Sequence, residues 1–179
     1  MTKYVAILRG INVGGKRKIL MKDLKLLFEK LGFNEVQTYI QSGNVIFCGN
    51  EIISEVTISE EIEQAILEKF GFEVPVIIRT SDEFEKIYSE NPFLPETDIS
   101  RLHVTFLGDV PEDENEEKLK NLDFSPDSFR LIGKNIFIDC AGKYHKTKLS
   151  NQFFESKLKV KATTRNWKTV LKLLEMTKV

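Results

Sequence analysis

No apolar run in this 179-residue chain approaches the roughly 18 residues that a membrane span requires. The opening stretch, Met1 to Arg9, is too short for a secretion signal, so the expected location is cytoplasmic and no membrane partner is expected. Cysteine is confined to Cys48 and Cys140, which excludes a disulfide scaffold and suits a reduced compartment. Each lies in an apolar, strand-like segment, where a buried and inert thiol is the ordinary outcome. Histidine is as scarce. His103 sits in an apolar strand and reads as a hydrogen-bonded core residue, while His145 lies among Lys143, Lys146 and Lys148 and reads as exposed. Groups scattered this widely give no metal-ligand spacing, and neither a nucleophile elbow nor a charge-relay order is visible. Neither a metal nor a cofactor is implied. Low-complexity segments are missing too, and a chain with 41% hydrophobic and 30% charged residues is an ordinary globular composition rather than a disordered one.

What is present is an uneven charge. The net of -1 hides three regions: residues 1–18 carry +5, residues 19–142 carry -14 and residues 143–179 carry +8. If the two ends meet, they form a basic patch suited to phosphate or another polyanion. If they pair with the acidic middle, the asymmetry has no functional meaning. Both outcomes are compatible with the sequence.

The order of elements is legible from periodicity. Residues 3–9 read as a strand, Gly10 to Gly15 as a glycine-rich loop, and Leu20, Leu24, Leu27, Phe28 and Leu31 as a helix stopping at Gly32. Two strands, Val36 to Gln41 and Asn44 to Phe47, flank a tight Ser42-Gly43 turn. Ile58, Ile62, Ala65, Ile66 and Phe70 mark a second helix ending at Gly71, and Val74 to Arg79 a further strand. In both helix stops a Phe follows the glycine and can fold back on the last turn. Strand, helix, strand, strand, helix, strand is the ferredoxin-like order. The second half repeats it: a strand at Leu102 to Leu107, an acid-rich helix at Pro111 to Leu122, a hairpin of Ser128 to Ile132 with Asn135 to Asp139, a helix at Lys148 to Leu158, a short strand at Lys159 to Ala162 and a final helix from Arg165. In register, Asn44 and Asn135 fall at the same place after the two hairpin turns. The expected class is α+β, with two ferredoxin-like (βαββαβ) units in tandem and an additional C-terminal helix. The expected divisions are an N-terminal unit at 1–80, a linking helix and proline-containing loop at 81–100, and a C-terminal unit with the final helix at 101–179. Thr80-Ser81-Asp82-Glu83 has the form of a capping box opening the linking helix.

Two constellations stand out as candidate sites. Residues 10–17, Gly-Ile-Asn-Val-Gly-Gly-Lys-Arg, come one residue short of a phosphate-binding loop. Arg17 stands where that loop needs a hydroxyl, and a guanidinium has no lone pair to offer Mg²⁺. A looser reading remains, in which the glycines expose backbone N–H groups beside Arg9, Lys16 and Lys18 as an anion nest; the alternative is a plain surface turn with solvated lysines. In the second, Thr163 to Thr169, the threonines suit a helix N-cap, with Trp167, Val170, Leu171 and Leu174 on the core face. Arg165 and Lys168 then fall in the first turn, where the helix dipole disfavours cations by about 0.3–1 kcal/mol each. That placement fits either a bound anion or a salt bridge within the chain. Ser42-Gly43-Asn44 is explained by turn geometry, whereas Gln41 beside it is not.

Taken together, Leu8-Arg9-Gly10-Ile11-Asn12-Val13-Gly14-Gly15, Tyr39-Ile40-Gln41-Ser42-Gly43-Asn44-Val45 and Thr163-Thr164-Arg165-Asn166-Trp167-Lys168-Thr169-Val170 resemble, in content and order, the hallmarks of the bacterial domain-of-unknown-function family numbered 1697. The resemblance spans nearly the whole chain. It implies a small cytoplasmic α+β protein with ferredoxin-like units and no established activity. One departure is Ile19-Leu20-Met21, where the family often carries Val-Pro-Met. The expected function is binding of a phosphorylated small molecule or nucleic acid on a basic face. Arg9, Lys16 and Arg165 would supply charge, Gly14 and Gly15 backbone approach, and Asn12, Gln41, Thr164, Asn166 and Thr169 hydrogen bonds. Alternatives are a cofactor-independent enzyme with a site between the two units, and a structural or partner-binding module.

Overall fold

Thr2–Leu8 opens on Thr2 and Lys3 and continues as an apolar run, Tyr4-Val5-Ala6-Ile7-Leu8, that is buried on both sides. A strand with no solvent face belongs in the middle of a sheet. In the computed structural model, which describes residues 1–49 and 53–179, this strand, β1, pairs antiparallel on one side with β3 (Asn44–Gly49) and on the other with β4 (Val76–Thr80). Strand β2 (Asn34–Tyr39) extends the sheet beyond β3, giving the order β2-β3-β1-β4. Helices α1 (Met21–Lys30) and α2 (Glu55–Phe70) supply Leu24, Phe28, Ile58, Ile62 and Ile66 to a core shared with Tyr4, Ala6, Leu8 and Phe47. Helix α3 (Ser81–Glu90) follows β4.

Both glycine stops form as expected. At the end of α1, Gly32 takes φ 89°, its N–H bonds the Glu29 carbonyl at 3.1 Å and the Phe33 N–H bonds the Phe28 carbonyl at 3.3 Å. That is the double bond of a Schellman motif. Phe33 then packs on Phe28 at 6.0 Å and on Phe47 at 4.6 Å between ring centroids. Gly71 ends α2 at φ 80°.

The second half repeats the arrangement with β5 (Leu102–Leu107), α4 (Asp113–Lys120), β6 (Ser128–Ile132), β7 (Asn135–Asp139), α5 (Asn151–Leu158), β8 (Ala162–Asn166) and α6 (Trp167–Thr177). Its sheet order is β6-β7-β5-β8. Leu107, Ile136, Ile138, Ala162, Phe154 and Leu158 form its core. The protein is therefore an α+β fold of two tandem ferredoxin-like repeats. The chain divides into two compact units, residues 1–85 with 173–179 and residues 86–172, so the divisions fall inside α3 and α6.

The repeat extends to individual hydrogen bonds. Leu8 N–H donates to the Gly43 carbonyl at 2.9 Å, and Leu107 N–H to the Lys134 carbonyl at 2.9 Å. Arg9 N–H donates to Pro75 at 3.0 Å, and Gly108 N–H to Lys161 at 2.8 Å. Asn44 faces Ile7 as Asn135 faces Phe106, and Arg79 faces Val5 as Arg165 faces Val104. Helices α3 and α6 are themselves equivalents, since each directly follows the last strand of its repeat. Thr80 caps α3 through the expected box, accepting from Glu83 N–H at 3.3 Å while the Glu83 carboxylate accepts from Thr80 N–H at 2.8 Å. At the matching place Asn166 caps α6, its Oδ1 accepting from Thr169 N–H at 2.8 Å.

The last strand departs from the sequence reading. The strand expected at Lys159 to Ala162 lies at Ala162–Asn166, and the helix begins at Trp167 rather than Arg165. Thr163 and Thr164 pair with Phe106 and Thr105, and β-branched residues fit that pleated surface better than a helix turn. Lys159, in the left-handed region at φ 59°, caps α5 instead of opening a strand. The core stripe of α6 shifts with it, so that Leu173 rather than Leu171 joins Trp167, Val170 and Leu174 in burial. Because the two caps serve the same purpose, Thr80→Ala and Asn166→Ala are each expected to cost about 1 kcal/mol, read as a lowered urea midpoint.

Candidate functional site

Between β1 and α1 the chain takes the left-handed conformation at Gly10, Asn12, Gly14, Gly15 and Arg17. It curls into a small hairpin in which Asn12 N–H bonds the Arg17 carbonyl at 3.1 Å and Lys16 N–H bonds Val13 at 3.0 Å. Gly14 and Gly15 form its exposed tip. Two isoleucines anchor the base, since Ile11 and Ile19 are buried. Ile11 rests directly on the β2–β3 turn: a Cβ at Gly43 would meet Ile11 Cδ1 at 2.7 Å and Leu8 Cβ at 2.9 Å. Gly43 is thus required by close approach as well as by its φ of 86°.

Asn12 ties these pieces together. Its Nδ2 donates to the carbonyls of Ile19 and Gln41, both at 2.9 Å, and its Oδ1 accepts from Ile19 N–H at 2.9 Å. The side chain expected to bind a ligand is therefore occupied in holding the loop against the turn and the entry of α1. Ser42-Gly43-Asn44 serves the turn, with Asn44 Nδ2 donating to Tyr39 at 3.0 Å and to Ser42 Oγ at 3.2 Å. Arg9 continues β1 onto the approach to β4 and is half-buried.

A cavity of about 290 Å³ opens here, lined by Asn12, Gly15, Lys18, Ile19, Leu20 and Gln41. It abuts the start of α1, whose N-cap position is held by Leu20 with no side-chain hydrogen bond. A leucine offers no oxygen to the first-turn amides, and the helix's first donors to find acceptors are those of Asp23 and Leu24, both on the Leu20 carbonyl. Among the described residues none of Lys16, Arg17 and Lys18 forms an ion pair. The ion pairs that do form include Lys25 with Glu29, Arg101 with Asp139, Lys118 with Glu114 and Lys120 with Glu116, none of which reaches the loop. Ile19 and Leu20 are not among the sequence candidates. The available signal is Leu20 standing where a helix normally places Ser, Thr, Asp or Asn. The loop also differs from a nucleotide-hydrolysing one, because β1 has only antiparallel neighbours and α1 begins at Met21.

The other candidates lie in the second unit. Thr164 Oγ1 donates to Asn151 Oδ1 at 2.6 Å and lies 2.7 Å from Thr105 Oγ1. Arg165 is in β8, not in a helix turn. It is only 9% exposed, its Nη1 donates to the Thr164 carbonyl at 3.0 Å, and burial draws its pKa down to about 10. Asn166 is the α6 cap, and Thr169, which donates to it through its N–H, is buried. Of the two cations expected to oppose the dipole, only Lys168 stands in the first turn of α6. A larger hollow in this unit, about 360 Å³ between Lys120 and Leu131, has Asp123 and Asp127 in its walls, and its Lys120 is held by Glu116 at 2.6 Å.

His103 is half-buried, donates through Nδ1 to the Arg101 carbonyl at 3.1 Å and stacks on Tyr144 at 4.5 Å. Burial lowers its pKa, with the bond to Arg101 opposing. Burial likewise pushes both thiols up: Cys48 donates to Glu35 at 3.4 Å and Cys140 to the Gly142 carbonyl at 3.4 Å. Among the described residues no group of three His, Cys, Asp or Glu side chains is placed to hold a metal ion, and no helix is long and apolar enough to cross a membrane.

Residues 1–137 match the family model described as "Protein of unknown function (DUF1697)". The chain belongs to that family. The matched residues of this DUF1697 protein include the glycine loop, Gln41 and the whole lining of the cavity beside them. The chain is also similar to the conserved bacterial protein SP0830 from Streptococcus pneumoniae, with 26% identity, a TM-score of 0.79 and 98% of each chain covered. No curated protein matches it.

Substitutions at two positions test the local chemistry. Asn12→Ala removes three hydrogen bonds at a left-handed residue and is expected to cost about 4 kcal/mol, against about 3 for Asn12→Gly, which loses the same bonds but keeps the backbone at ease; urea unfolding measures both. For His103 the folded pKa lies below the ordinary 6.5, so on acidification the unfolded chain takes up the proton first. Its contribution is present above pH 6.5 and is lost as pH falls through the folded value. The fall in Tm between about pH 7.5 and about pH 5 is expected to be smaller in His103→Gln than in the unaltered protein.

Proposed function

We propose that this DUF1697 protein binds a phosphorylated or polyanionic ligand at the Gly10–Lys18 loop. One observation carries the reading: the cavity lined by Gly15 and Lys18 lies at a helix start lacking a side-chain cap, next to the bare Gly14-Gly15 tip, and Lys18 and its chain neighbours Lys16 and Arg17 have no ion-pair partners among the described residues. Each of these is unusual alone for the same reason, a shortage of negative charge. Lysines and arginine crowded in a short loop repel one another, and α1 opens beside them at the positive end of its dipole. An anion satisfies all three at once, through backbone N–H groups and charge-assisted bonds. The location proposed for this activity is the cytoplasm, where phosphorylated metabolites and nucleic acids are available.

The reading places binding in the first unit. Thr164, Asn166 and Thr169 are engaged in bonds that the second repeat needs, and Arg165 is held by its own strand.

The triple variant Lys16→Ala, Arg17→Ala, Lys18→Ala alters only exposed side chains and leaves the fold intact. It is expected to weaken binding of nucleotides or short oligonucleotides at least about tenfold in roughly 20 mM salt. For a single-stranded oligonucleotide the slope of log affinity against log salt should flatten by about 0.7 for each phosphate that the variant no longer neutralises. Undetectable binding by the unaltered protein at low salt, or equal binding by the variant, overturns the proposal.

A further inference from the structure

We infer that the cavity beside the glycine loop takes a single nucleoside phosphate and that Gln41 reads its base. This rests on the anion-binding reading of the same loop and adds the class of molecule that carries the anion.

The cavity has two unlike sides. Gly15 and Lys18 make one side, polar and cationic, while Ile19 and Leu20 make an apolar one. Leu20 is 59% exposed at a position where a helix ordinarily places a small polar residue, so a large hydrocarbon surface faces the cavity instead. An inorganic anion gains nothing from that wall. A flat, weakly hydrated ring linked to a phosphate uses both sides. Gln41 completes the description: its backbone carbonyl is fixed by Asn12 Nδ2, yet its exposed carboxamide bonds to no described residue. A carboxamide presents one donor and one acceptor side by side, the pattern that pairs with a base edge carrying an amino group beside a ring nitrogen. The backbone that carries it is firmly placed, because Asn12 Nδ2 holds the Gln41 carbonyl and Gly43 is locked under Ile11.

Size selects the monomer. About 290 Å³ lies at the lower end of small-molecule pockets, which suits one nucleotide. A single-stranded chain is bound along successive aromatic platforms, and the wall here is two aliphatic side chains.

Isothermal titration of the full chain with AMP, ribose 5-phosphate, adenosine, inorganic phosphate and a ten-residue oligoadenylate tests the inference. AMP is expected to bind at least about fivefold more tightly than ribose 5-phosphate, and adenosine more weakly than AMP. Gln41→Leu, which breaks no hydrogen bond of the side chain, is expected to weaken AMP at least about threefold, towards the affinity of ribose 5-phosphate, while leaving ribose 5-phosphate unchanged. Equal affinity for AMP and ribose 5-phosphate in the unaltered protein overturns the assignment of a base while leaving the anion site standing. Binding of the oligomer more than about tenfold tighter than AMP overturns it in favour of nucleic acid. If no phosphate-bearing probe binds, the anion site falls as well.

Discussion

The carboxamide of Asn12 joins three stretches of chain that are remote in sequence: the glycine loop, the entry of α1 and the turn before β3. All three of its bonds go to the main chain. Each is worth about 1 kcal/mol net, which is modest against total stability. Its importance is geometric. Ordering the Gly10–Lys18 loop costs about 1–2 kcal/mol of backbone entropy per residue, and the buried apolar anchors at its base are Ile11 and Ile19. A polar clip with fixed angles confines the tip more sharply than two apolar side chains can. Arg17, Lys18 and Gln41 inherit their positions from it.

The internal repeat shows where the two halves keep the same structure and where they differ. Sheet order, the paired backbone bonds, the buried arginines of the last strands and the helix caps all recur. The link between first strand and first helix does not. Residues 9–20 make that link in the first repeat, rich in glycine and positive charge, whereas residues 108–112, Gly-Asp-Val-Pro-Glu, suffice in the second. A connection longer than the fold needs, in one copy only, is where the proposed binding site has been placed. The two arginines lead the other way. Arg79 and Arg165 are both buried, and burial lowers the pKa of both, so their recurrence belongs to the scaffold.

The order of elements is readable because it rests on local signals: apolar period, a glycine at each helix stop, and the Thr80–Glu83 box. The hairpin asparagines align because a turn fixes the register of both its strands. The last strand is harder to place because Thr163 and Thr164 satisfy two local rules at once, serving as strand residues or as a helix cap. Only the partner strand β5 decides between them, and Thr105 lies 59 residues before Thr164 in the chain. The same limit applies to the site. Glycines and lysines in the loop are visible in the sequence, and so is the oddity of Gln41. That Asn12 faces inward, and that Leu20 leaves α1 without a side-chain cap, depends on where the chain bends, which composition does not encode.

Gly14 and Gly15 differ from Gly43 in one respect. A Cβ at Gly43 would collide with its neighbours, but at Gly14 and Gly15 nothing lies within 4 Å of where a Cβ would stand. The tip is kept bare by handedness alone, at φ 57° and 74°. A residue of mirror-image configuration would sit there without strain, whereas any natural side chain is resisted. At these two positions the loop can therefore drift in sequence only against a cost of about 1–2 kcal/mol each, even though nothing crowds its tip.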